Sequence, residues 1–151
     1  MRRTTALVAA TVFVALVAGC SADAAPRDGS PTPTDAAEVE RVAGVHLPAS
    51  AELLRAETVG FQDSQVWAVF RMPAKELDGF LERGKLPDPE PGLHAVAGSF
   101  DTVPGLDPDA AVTVSGINQW DAVSPEGYYR KMMFDLDDPG EVTTYLVAVM
   151  P

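Results

Sequence analysis

Apolar and polar residues alternate with a period of two over residues 65–72. Val66, Ala68, Phe70 and Met72 fall on one side, and Gln65, Trp67, Val69 and Arg71 on the other. Successive side chains of a strand point to opposite faces, so this pattern predicts a β-strand. Residues 51–59 form a second, less regular strand. Between the two, Gly60, Gln62, Asp63 and Ser64 are turn residues, so the pair is expected to be an antiparallel hairpin. The alternation returns over residues 128–136 and 142–150, with Asp137-Asp138-Pro139-Gly140 as the turn between them. Here Tyr128, Arg130, Met132, Phe134 and Leu136 share one side, and Tyr129, Lys131, Met133 and Asp135 the other.

The period changes after Pro73, a residue tolerated in the first turn of a helix because its missing N–H is not needed there. Leu77, Phe80 and Leu81 stand at i, i+3 and i+4, one apolar helical stripe, and Gly84 ends it. A shorter helix is expected upstream, capped by Asp35, with Val39 and Val42 on one face and Gly44 at its end. Together these elements predict an α+β fold. Its antiparallel sheet is built from two hairpins, with one main helix and a short N-terminal helix packed on one face. Residues 85–109 follow neither period. Pro87, Pro89, Pro91, Pro104 and Pro108 interrupt any long element, and only short strands are expected, near residues 93–96 and 111–115. Long irregular loops in compact domains are often functional. This segment, with Asp88, His94, Asp101 and Asp107, is therefore the expected interaction loop.

The first twenty residues read differently. Arg2 and Arg3 precede an apolar run over residues 6–17, which is too short for the roughly 20 residues of a spanning helix. A basic start, an apolar core and small residues before a cut are the parts of a secretory signal. Val17-Ala18-Gly19-Cys20 resembles the lipobox of bacterial lipoproteins, with Val where Leu is commoner. The resemblance implies that Cys20 is joined to a diacylglyceryl group and becomes the mature N-terminus after cleavage. It also implies a lipid anchor of the palmitate type at the outer face of the cell membrane. Two acyl chains hold a protein stably where one does so only marginally. The competing reading is an ordinary secretory signal that contains a cysteine. The expected organisation is a signal peptide at 1–19, the lipidated Cys20 with a disordered tether to residue 36, and one globular domain over 37–151. Residues 21–36 contain no large apolar side chain, so they bury too little surface to offset the entropy of ordering.

Charge narrows the partners. The chain carries 11 Lys and Arg against 22 Asp and Glu, a formal charge of −11, and loss of Arg2 and Arg3 with the signal takes it to −13. An acidic chain repels nucleic acid, which excludes that class of partner. Cys20 is the only cysteine. Once lipidated it leaves the domain without a disulfide, a cysteine nucleophile or a cysteine metal site. Ile117 and Asn118 are the only residues of their kinds, and Arg outnumbers Lys, a bias that suggests a high-GC genome. Residues 47–51, 60–63 and 70–73, together with the C-terminal hairpin, resemble small uncharacterised lipoproteins of high-GC bacteria. That resemblance implies no activity and no catalytic residue.

Motifs for chemistry are weak. His46 and His94 lack the spacing of a zinc site or a catalytic triad. Residues 135–140 have the alternating oxygens of a calcium loop, but Pro139 stands fifth and Leu146 twelfth, where a bidentate Glu is needed; a hairpin turn explains the same residues. Asp101, Asp107, Asp109 and Asp121 could supply a carboxylate pair to a hydrolase, and equally suit an acidic surface. Ser99, Ser115 and Ser124 have no nucleophile context. Trp67 and Trp120 suit either a ligand groove or the core. No catalytic residue, cofactor or metal is expected. The reading that results is a membrane-anchored, extracytoplasmic, non-catalytic binding module, touching the membrane through Cys20 and a protein or cell-envelope partner through its domain. A small hydrolase and a structural envelope protein are the alternatives.

Overall fold

A computed structural model describes residues 30–60, 64–96, 107–120 and 127–150. Cys20, Asp101, Asp121, Ser99 and Ser124 lie outside them. The fold is α+β: the described residues form one antiparallel sheet of seven strands in the order β1-β2-β3-β7-β6-β5-β4, with two short α-helices. The strands are β1 (Thr32–Pro33), β2 (Glu52–Gly60), β3 (Ser64–Pro73), β4 (Glu90–Pro91), β5 (Val114–Asn118), β6 (Tyr129–Asp135) and β7 (Glu141–Met150). The helices are α1 (Ala36–Ala43) and α2 (Leu77–Arg83), so neither dominates in length.

The middle of the sheet is β3 against β7, paired over ten residues from Ser64↔Met150 to Pro73↔Glu141. Val66, Ala68, Phe70 and Met72 of β3 are buried in one cluster with Met132, Phe134, Leu146 and Ala148. Val39, Val42 and Ala43 of α1 and Phe80 of α2 belong to the same cluster, and Leu77 and Leu81 pack against it partly buried. The caps of α1 follow from its sequence. Asp35 accepts a hydrogen bond from the Glu38 N–H at 3.0 Å, and Gly44 takes the left-handed conformation at φ 60°. At α2 the left-handed residue is not the glycine: Gly84 has φ −78° and Lys85 has φ 46°.

The opposite face of the sheet is also apolar. Val69, Met133, Tyr145 and Val147 are buried on it, and so are Val96, Ala111 and Val114 from the irregular middle of the chain. An uncovered face of this kind would leave β3 and β7 exposed to water, at about 25 cal/mol per Å² of apolar surface. The segment read as an interaction loop therefore contributes to a second core. Its strands also differ from expectation: β4 lies at 90–91 rather than 93–96, and β5 at 114–118 rather than 111–115. The contact is tight. A Cβ at Gly116 would overlap the Leu93 carbonyl oxygen, so only glycine lets that backbone cross β5.

The folded region begins earlier than residue 37. Thr32 and Pro33, expected in the tether, pair with Thr58 and Glu57 of β2, and the Thr34 N–H donates to the Ala56 carbonyl at 3.0 Å. Edge pairing of this sort uses main-chain groups and needs no apolar side chain, so composition does not reveal it. None of the helices among the described residues is long and apolar enough to cross a membrane.

Candidate functional site

Arg130 is the most deeply buried charged residue described, 1% exposed on the face that carries Met132 and Phe134. Its Nη1 donates to the carbonyls of Ala43, Gly44 and Gly84 at 3.3, 3.2 and 3.4 Å, and its Nε donates to Gln119 Oε1 at 3.0 Å. The first two carbonyls end α1 and the third ends α2. A helix C-terminus carries partial negative charge and carbonyls without an intrahelical donor, so one guanidinium serves both ends at once. Tyr128 lies over that group, 5.6 Å from ring centroid to Cζ. The same ring packs on Gly44, where any Cβ would collide with it.

A cleft of about 520 Å³ opens above this buried cation. Gly44, Gly84 and Tyr128, which contact Arg130, line it together with Glu40, Arg41, His46, Arg83 and Lys85. Arg41 donates to both carboxylate oxygens of Glu38, at 2.7 and 2.6 Å, which holds the Glu38 carboxyl below its usual range. Glu40 accepts from the Leu47 N–H at 2.7 Å. Arg83 makes no ion pair among the described residues.

No family model matches the chain, and neither a curated protein nor a solved structure is significantly similar to it.

A second groove, of similar size, lies on the face that carries Tyr145. Arg71, Asp107, Asp135, Asp137, Glu141 and Tyr145 are among its lining residues. Burial, followed by the charges of Asp135 and Asp107, raises the Tyr145 hydroxyl above its usual pKa. Asp107 caps a 3₁₀ turn over Pro108–Ala110 by accepting from the Asp109 N–H at 3.0 Å. Asp88 and His94, also expected in the interaction loop, are exposed and line neither this groove nor the basic cleft. Trp67 and Trp120 pack, partly buried, against the second core. Lys131 Nζ sits 5.3 Å from the Trp120 ring centroid.

In the 135–140 turn the acidic oxygens accept main-chain hydrogen bonds. Asp135 takes the Asp137 N–H and Asp138 the Gly140 N–H. Asp137 takes the N–H groups of Val112 and Thr113 at 2.9 and 2.6 Å. Those two bonds, Val112 first, hold the Asp137 carboxyl below its ordinary 3.8. A depressed folded-state pKa contributes stability that is present above the unfolded value and lost as pH falls through the folded one. Asp137→Asn is therefore expected to be less stable than the parent at neutral pH. The gap should begin to close below about pH 4 and vanish in stronger acid. Urea midpoints of both chains across that range measure it, and a gap independent of pH would contradict the charge-assisted bonds.

Proposed function

We propose that this chain is an exported lipoprotein, lipidated at Cys20 and held at the outer face of the membrane, whose domain is a non-catalytic binding module for a protein or cell-envelope ligand. The observation that carries the reading is Arg2-Arg3, the apolar run over 6–17 and Val17-Ala18-Gly19-Cys20, in a chain whose only cysteine completes that motif. Two acyl chains on one residue are enough for stable anchoring. The ordered edge strand β1 shortens the spacer. Twelve residues from Cys20 to Pro31 precede β1, and they span at most about 40 Å when extended. The domain would therefore stay close to the headgroups.

Cys20→Ser is expected to abolish fatty-acid labelling, and the protein should then stay unprocessed or leave the membrane fraction. Metabolic labelling with a palmitate analogue, followed by fractionation, tests this. A Cys20→Ser chain that labels and fractionates like the parent would overturn the anchor.

A further inference from the structure

We infer that the prolines of the two outermost strands, Pro33 in β1 and Pro91 in β4, guard both edges of the sheet, so that a second copy of this chain does not add a strand to either. This holds whether or not the chain is lipidated.

β1 and β4 end the described sheet on its two sides, and each is two residues long. Residues of an antiparallel strand turn their N–H and C=O groups alternately toward the neighbouring strand and away from it. In β1 the Thr34 N–H donates inward to the Ala56 carbonyl. With the register Thr32↔Thr58 and Pro33↔Glu57, Pro33 is then the residue whose main chain faces away from β2. In β4 the Gly92 N–H donates inward to the Val114 carbonyl at 2.8 Å. With Glu90↔Gly116 and Pro91↔Ser115, Pro91 is the one that faces away from β5. Both prolines are exposed. At each edge the position that would donate to a further strand is therefore held by the one residue without an N–H.

The placement is selective. A proline at Thr32 or Glu90 would remove a donor that faces the sheet, whereas at Pro33 and Pro91 the missing donor costs the sheet nothing. The sequence continues the same spacing. Pro31 stands two residues before Pro33, and Pro89 and Pro87 stand two and four before Pro91. A strand long enough to run past β1 or β4 would need donors at those same alternate positions.

Two further features act in the same direction. Asp88 and Glu90 stand between the prolines at β4, and both are exposed. A second copy laid antiparallel on this edge would bring its own acidic residues against them, and like charges opposite one another are destabilising. On the other side, the pairing of β2 with β3 slips between Leu53 and Arg55. A bulge there twists the part of β2 that lies beyond β1 away from regular pairing. The need for such guards follows from the composition of the central strands. Both faces of β3 and β7 are apolar, and a sheet of that kind with open edges is a template for association.

Sedimentation equilibrium of the full chain in a neutral, density-matched detergent tests this. The parent is expected to sediment as a monomer. Pro31→Thr with Pro33→Thr, and separately Pro89→Thr with Pro91→Thr, restore edge donors with a residue that suits a strand. Each pair should raise the self-association constant by about tenfold or more, with the far-ultraviolet circular dichroism of the dilute protein unchanged. Amide exchange checks the direction of the new groups. The N–H groups at positions 33 and 91 should exchange freely in the dilute variants and slow on association. A parent that self-associates as tightly as its variants overturns the proposal, and so does slow exchange at positions 33 and 91 in the dilute protein. An edge whose variant associates no more tightly than the parent is not guarded by its prolines, and the proposal fails there.

Discussion

Arg130→Ala is expected to destabilise the protein by roughly 3–5 kcal/mol, a large part of the stability of a domain this size. Three carbonyls, of Ala43, Gly44 and Gly84, lose their shared donor. A buried polar group left without a partner costs about 1–3 kcal/mol. The void left by the side chain adds to that, since the site lies among Met132, Phe134 and the helix ends and is 1% exposed. Arg130→Lys keeps the charge but loses the planar fork, so it should fall between the parent and alanine. Denaturant melts read the sizes. Amide exchange should rise first around residues 43–45 and 84–86, where the two helices end. A loss below about 1 kcal/mol for alanine would mean that the guanidinium does not hold the helix ends together.

Phe70→Ala should cost a similar amount, about 3–5 kcal/mol, by a different mechanism. Phe70 is fully buried in the central strand and meets the Phe80 ring edge-on, with centroids 5.7 Å apart and planes at 66°. Its removal opens a cavity between β3 and α2 that neither element can close, because β3 is tied along both edges to β2 and β7. In a double-mutant cycle with Phe80→Ala, a coupling of about 0.5–1.5 kcal/mol is expected from the aromatic pair itself. His94→Ala, at an exposed position, serves as reference and should stay within about 0.5 kcal/mol of the parent. Equal midpoints for the Phe70 and His94 variants would place Phe70 outside the core.

The basic cleft was only half legible in the sequence. Alternation places Arg130 on the same side as Met132 and Phe134, an unusual position for a charge. It does not say what the guanidinium meets, because its partners lie 86 and 46 residues away at Gly44 and Gly84. Arg83 falls on the charged face of a helix and Lys85 opens the irregular segment, and nothing local joins either of them to α1. The irregular segment behaves differently from what its composition suggests. Prolines and missing periodicity mark a chain that cannot form a long strand or helix. They do not mark one that has nothing to bury, and Val96 is buried although it lies in no strand or helix.

What the sequence by itself determined is local. The two-residue period of β3, β6 and β7 settled which side chains share a face, because strand geometry leaves no other choice. Asp35 and Gly44 bounded α1 through hydrogen bonds and backbone angles within a few residues of each other. The tertiary structure alone decided what each face meets. Both faces of β3 are apolar, so pattern could not show that helices would take the Phe70 side and the irregular middle the Val69 side. Nor could it show that Gly116 is the point where another backbone crosses, that β1 pairs with the sheet edge at β2, or that one arginine joins two helix ends. Each of these depends on groups far apart in the chain, and short-range periodicity carries no information about which of them come together.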